Sequence, residues 1–229
     1  MIAWLGSLWA LIEPMMPRML TGTKDTLYMT GLATFYAYLL GLPLGVLLVI
    51  SRRDHIMPSR TLSFLLGGVI NILRSVPFLI LMVAVIPLTR AVMGTSIGTR
   101  ATVMPLVIAA FPFVARTVES SLLEVDFGVI QAAQAMGSTN FQIVRKVMLR
   151  EAFPSLVNGA AIATTNILGY SAMAGAIGGG GLGAWAITHG YQRYNTLVLW
   201  IAVVVLMLLV QGIQYIGTAV SRWVDHRLR

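Results

Sequence analysis

Residues 196–220 read TLVLWIAVVVLMLLVQGIQYIGTAV, without a single charged side chain, and residues 26–50 are equally free of charge. As a helix, each run rises roughly 38 Å, more than the ~30 Å hydrocarbon core of a bilayer. Backbone amides inside lipid must find partners within the chain, so runs of this kind fold as membrane-crossing helices. Three further stretches, 61–88, 101–115 and 156–177, complete a reading of five spans. The predicted fold class is therefore all-α: a polytopic membrane protein of five transmembrane helices. With 57% hydrophobic and 10% charged residues and a mean hydropathy of +0.82, a soluble enzyme is excluded.

The spans differ in character. In 26–50, Gly41 and Gly45 lie four apart around Pro43, which suits close helix contact. Span 61–88 would be roughly 42 Å long as one helix, so it tilts or protrudes, and Arg74 need not lie at mid-membrane. Pro77 frees the carbonyl of Leu73 and favours a bend there. Span 101–115 is short and carries Pro105 and Pro112; it crosses if its flanking arginines snorkel or if the helix continues toward Leu123. Span 156–177 is rich in small residues, which indicates helix packing, and the aliphatic 196–220 points to lipid contact. The first twelve residues are too short to cross and suit the interface, with Trp4 and Trp9 as anchors. The organisation read from this is an interfacial segment 1–25, a transmembrane domain 26–220 and a tail 221–229.

Five spans put the termini on opposite sides. Setting Arg74 aside, ten basic residues fall with the loop after the first span, the long loop 116–155 and the tail, against five on the other side. The basic side should be cytoplasmic, leaving the N-terminus outside. The same distribution explains the net charge of +8 without nucleic acid.

Between the third and fourth spans, 129–156 reads VIQAAQAMGSTNFQIVRKVMLREAFPSL, a polar helical hairpin with the features of a docking surface. Ala132, Ala133 and Ala135 permit close approach, Gly137 permits the turn, and an amphipathic helix resumes with Phe141, Val144, Val147 and Met148.

Several chemistries are excluded. Neither Lys24 nor Lys146 has the glycine framework of a phosphate-binding loop, so the chain should not bind ATP itself. The run GAIGGGGLG follows a membrane helix, not a strand, and argues against a dinucleotide site. His55, His189 and His226 lie in separate loops without a carboxylate cluster, and there is no cysteine, so neither a metal site nor thiol chemistry has support. GYSAM at 169–173 lacks the second glycine of a nucleophile elbow. Few ionisable groups lie inside the spans, which weakens an ion-driven carrier. Arg74 is the exception, readable either as a snorkelling arginine or as a substrate contact. Arg116 and Glu119, three apart, read as a helical ion pair. Asn166 and Ser171, with other polar residues of the fourth span, either bond neighbouring helices or line a polar path.

The hairpin resembles the EAA loop of ABC importer permeases, whose pattern is Glu-Ala-Ala, three residues, Gly, nine residues, Ile-x-Leu-Pro. The matching positions are Gln131, Ala132, Ala133, Gly137, Val147, Leu149 and Arg150, with Gln131 in place of the acid and Arg150 in place of the proline. The segments NILRSVPFLILMVAVIPLTRAVMGTSIG, AMGSTNFQIVRKVMLREAFPSLVN and GYSAMAGAIGGGGLG, with the Pro112–Glu119 pattern, are similar to the methionine ABC transporter permeases over nearly everything after residue 25. That resemblance implies a bacterial inner-membrane homodimer with its path between subunits. It also implies two cytoplasmic ATPases, holding ATP and Mg²⁺, on the coupling loops 128–154, and a lipid-anchored methionine-binding protein outside. On this reading the permease itself carries no cofactor, and Asn166, Tyr170, Ser171 and Met173 belong to the path, with Met173 as gate or as ordinary packing. The rival readings are a permease for another amino acid or small polar solute, and a self-powered carrier.

Overall fold

The structure is a computed structural model and describes residues 13–225, all of whose regular elements are helices. The expected interfacial stretch 1–12 and the last four residues of the tail lie outside the described residues. After a single turn at Glu13–Met15, α1 (Met16–Ile50) begins with Pro17 in its first turn, where proline has no amide to lose. It starts ten residues before the expected first span, so residues 16–25 continue that span's helix.

The second span is not one helix. It breaks into α2 (Arg60–Ser75), α3 (Phe78–Ala84) and α4 (Ile86–Met93), and the turn from α2 to α3 is 99°. Pro77 is the physical cause: it disfavours helical geometry in Val76, whose φ −79° and ψ 124° are extended. The third span, by contrast, runs unbroken as α5 (Thr99–Leu123) through Pro105 and Pro112, which settles how so short an apolar run crosses. The hairpin follows as α6 (Phe127–Ala135) and α7 (140–151), the latter widened by a π-helical turn at Ile143–Met148. Then come α8 (Phe153–Ala174), a glycine loop, α9 (Gly181–Trp185) continuing in π-helical form to Tyr191, and α10 (Thr196–Val224). Four helical stretches are long and apolar enough to cross a membrane, five with the bent α2–α3 pair, in agreement with the five-span reading.

The core lies between α1 and α5. Met29, Ala33 and Ala37 on α1 and Leu106, Ala110, Val114 and Val118 on α5 are buried in one cluster. Gly41 and Gly45 let the two backbones meet: a Cβ at Gly41 would stand 2.7 Å from the Val114 side chain, and one at Gly45 2.6 Å from the Ala115 carbonyl. At the other extreme α10 has only 11% of its apolar stretch buried, against 61% for α5, and exposes Trp200, Met207 and Leu208 as a lipid-facing helix should.

The helix ends sort into two layers. Loop 51–59, the hairpin and Asp225 share one end, where Ser221 donates to the Pro154 carbonyl at 2.8 Å and Glu124, Glu151 and Asp225 line a common cleft. At the other end, Thr26 accepts a hydrogen bond from the Leu182 amide at 2.9 Å, and the Gly98 amide donates to the Gly178 carbonyl at 2.9 Å.

Candidate functional site

The hairpin is built by caps. Asp126 opens α6 by accepting from the Gly128 amide at 2.6 Å. Thr139 and Gln142 form a reciprocal capping box at the start of α7. Between them Gly137 has φ +78°, a left-handed conformation that a side chain would resist.

This turn divides the matched positions into two sets. Ala133 is buried, and Val147 and Leu149 pack partly buried against the core together with Ile130, Ile143 and Met148. These side chains clamp the hairpin to the membrane domain. Gln131, Ala132, Gly137 and Arg150 lie on the exposed side. Phe141 corrects the sequence reading: it is not on the buried face but 70% exposed, beside Met136 at 79%. The π-helical turn explains the change, because widening α7 by one residue shifts the buried register onto Ile143.

The part of α5 that leads to the hairpin is tied to its neighbours. Arg116 donates to Glu119 at 2.6 Å, to the Gly67 carbonyl at 3.0 Å and to Asn71 Oδ1 at 2.9 Å, and Arg52 approaches Glu119 at 3.8 Å. The predicted ion pair therefore also fastens α2 to α5. Arg116→Lys should keep the attraction to Glu119 but lose the forked donation to α2, costing about 1–2 kcal/mol. Thermal unfolding of the purified protein checks this, and an unchanged midpoint would refute the tie. Nearby, His55 meets the Phe127 ring edge-on at 5.9 Å. Burial, with Arg52 alongside, holds its imidazole below the ordinary pKa, so the ring packs uncharged at neutral pH.

The predicted path residues separate as well. Asn166 and Met173 are exposed on one face of α8, and Tyr170 sits half-buried one turn from each. Ser171 does not join them; it is buried on another face and donates to the Leu168 carbonyl at 2.7 Å. Tyr170 stacks on Phe78 at 4.6 Å with the rings 10° from parallel. The break at Pro77 delivers that phenyl ring, since Phe78 is the first residue of α3. The same break leaves Arg74 5.9 Å from the Phe113 ring centre. Phe113 lies within α5, three residues before Arg116, so Arg74 faces the end of the charge-free run 101–115. Phe78 and Phe113 had no periodic signal in the sequence to single them out, since their partners are on other helices.

The family model described as binding-protein-dependent transport system inner membrane component matches residues 37–229. The chain is 51% identical over 209 residues to the probable D-methionine transport system permease protein MetI of Vibrio cholerae, covering 91% of this chain and 93% of that one. To the D-methionine transport system permease protein MetI of Escherichia coli K12 it is 48% identical over 163 residues, 71% of this chain and 75% of that one. Among solved structures, an inward-facing conformation of the MetNI methionine ABC transporter matches with a TM-score of 0.92 and 46% identity, over 93% of this chain and 99% of that chain. An amino acid ABC transporter with histidines shares the fold at a TM-score of 0.76 and 21% identity, over 93% of this chain and 97% of that chain.

Proposed function

The chain belongs to the binding-protein-dependent transport system inner membrane component family, and from that premise we propose that it is the permease subunit of an ATP-driven importer of methionine. The observation that carries this reading is agreement, in sequence and in fold, with methionine-transporter permeases over almost the whole chain. Two copies enclose the path, and a separate ATPase dimer, which holds ATP and Mg²⁺, docks on the hairpins from the cytoplasm. A binding protein delivers substrate on the opposite side. The basic loops and tail support that orientation.

Mechanically, closure of the ATPases pushes on the exposed side of the hairpin. The buried set (Ala133, Val147, Leu149) passes the displacement to the membrane helices, because a packed contact moves as a unit where a flexible loop would absorb the push. The face of α8 carrying Asn166, Tyr170 and Met173 lines the path. Met173, 49% exposed, can close it with a flexible apolar thioether.

Reconstitution tests the class. Vesicles containing this chain should accumulate methionine only with the ATPase, ATP and the binding protein, and accumulation by the chain alone under an ion gradient would overturn the proposal. Competition by other amino acids tests the substrate. Coupling is tested by Gly137→Val: a β-branched residue at φ +78° is strained by about 1–2 kcal/mol. Uptake should fall about tenfold, the rate equivalent of a ~1.4 kcal/mol change, while ATP hydrolysis continues. If both rates are unchanged, the turn has no coupling role.

A further inference from the structure

A cavity of about 130 Å³ opens between α2, α3, α5 and α8, with Arg74, Phe78, Ala109, Phe113 and Tyr170 among its lining residues. Phe113 is ten residues from the Leu123 end of α5 and fourteen from Thr99, so the cavity lies roughly 15 Å and 21 Å from the two helix ends. Phe113 also lies one turn from Arg116 and within the charge-free run 101–115, so Arg74 is a cation set against the apolar stretch, one turn beyond the Arg116–Glu119 pair. Its only interaction among the described residues is the Phe113 face, and both ion pairs at this level of the chain involve Arg116 or Arg52 with Glu119. A charge set there is costly and needs an anion or water to satisfy it. The face of an aromatic ring offers a weak, easily exchanged contact. The cavity also meets the open face of α8, because its wall residue Tyr170 is one turn from both Asn166 and Met173.

We propose that Arg74, Phe113 and the stacked Phe78–Tyr170 pair form a transient subsite for the amino acid in transit, Arg74 receiving its carboxylate and the rings receiving its apolar side chain. This rests on the methionine reading and places a substrate contact within it. A guanidinium takes a carboxylate through two parallel hydrogen bonds, and a thioether packs well against ring edges. One cation without a second clamp, in a cavity open to the path, binds weakly enough to release its guest, as passage requires.

The test uses the complete transporter in vesicles. A diazirine analogue of methionine, activated by light, should label Phe78, Phe113 or Tyr170. Methionine should suppress that labelling at least tenfold more effectively than methioninol, which keeps the amine and thioether but lacks the carboxylate. Arg74→Gln should lower methionine uptake at least tenfold while binding-protein-stimulated ATP hydrolysis stays within twofold, and Arg74→Lys should restore part of the uptake. Labelling confined to other residues, equal competition by methioninol, or full uptake by Arg74→Gln would each overturn the subsite. If Arg74→Gln does not assemble, labelling of the unaltered transporter decides alone. Methionine uptake without this labelling sinks only the subsite; absence of methionine uptake by the unaltered transporter sinks the functional reading and the subsite with it.

Discussion

Gly183→Ala and Gly175→Ala should each yield a permease that fails to assemble at growth temperature. A Cβ at Gly183 would land on the carbonyl of Ala172, and one at Gly175 on the backbone amide of Ala184. Overpacking a core against side chains costs typically ~1–3 kcal/mol because rotamers can yield. Here the obstacle is backbone on both sides, so whole helices must part. Separation of α9 from α8 would also pull Leu182 from Thr26, breaking the 2.9 Å hydrogen bond that fixes α9 to α1. The control is Gly31→Ala: nothing lies within 4 Å of a Cβ built there, inside α1. That change should be neutral or stabilising by about 0.5–1 kcal/mol. Yield and thermal midpoint of the detergent-purified chain measure all three. Normal yield and midpoint for Gly183→Ala would show that this junction is looser than the structure has it.

The glycine run shows what the sequence could and could not convey. GAIGGGGLG was legible as something other than a nucleotide loop, because it follows a membrane helix. Its actual use, letting α8 and α9 touch backbone to backbone, depends on residues eleven apart and on a third helix, α1. Gly41 and Gly45 were easier, since four-residue spacing on one helix marks a contact face whatever the partner. The same division holds for the prolines. Pro77 bent its span and Pro112 did not, although both interrupt apolar runs. The difference lies in surroundings: α5 is the most buried of the candidate spans and its neighbours hold it straight, whereas α2 and α3 lie at the periphery with many exposed side chains.

In the hairpin, local chemistry was readable and register was not. The Gly137 turn follows from its residue type, while the Thr139 and Gln142 capping box is supplied by the structure. A π-helical turn has no comparable signature, so a 3.6-residue period carried through α7 turned Phe141 inward, whereas the structure turns Ile143 inward. The Phe78–Tyr170 stack was out of reach for a different reason, since it joins positions 92 residues apart across a bend. Composition left Ser171 open between bonding a helix and lining a path, and only the family resemblance put it on the path; its hydroxyl is satisfied within its own helix.

Met136→Asp combined with Phe141→Asp should separate the permease from its ATPase. The two side chains flank the Gly137 turn, 79% and 70% exposed, on the polar hairpin that the coupling proposal presents to the partner. Outside the lipid, two large apolar side chains left in water at the apex of a capped, rigid turn cost stability unless something covers them. Burying each in a partner's groove contributes roughly 1.5–3 kcal/mol. Losing both weakens the complex by about 3–6 kcal/mol, or roughly 10²–10⁴-fold in affinity, before any cost of burying two carboxylates. The permease itself should be unaffected, because neither side chain supports its core. The expected result is an unchanged thermal midpoint, loss of the ATPase during co-purification and loss of ATP-driven uptake. Conservative Met136→Leu should keep all three properties, which separates lost apolar contact from a damaged turn. Should the double variant retain both the ATPase and full uptake, force must enter elsewhere. The exposed Gln131 and Arg150 at the base of the hairpin would then be the next positions to charge-reverse.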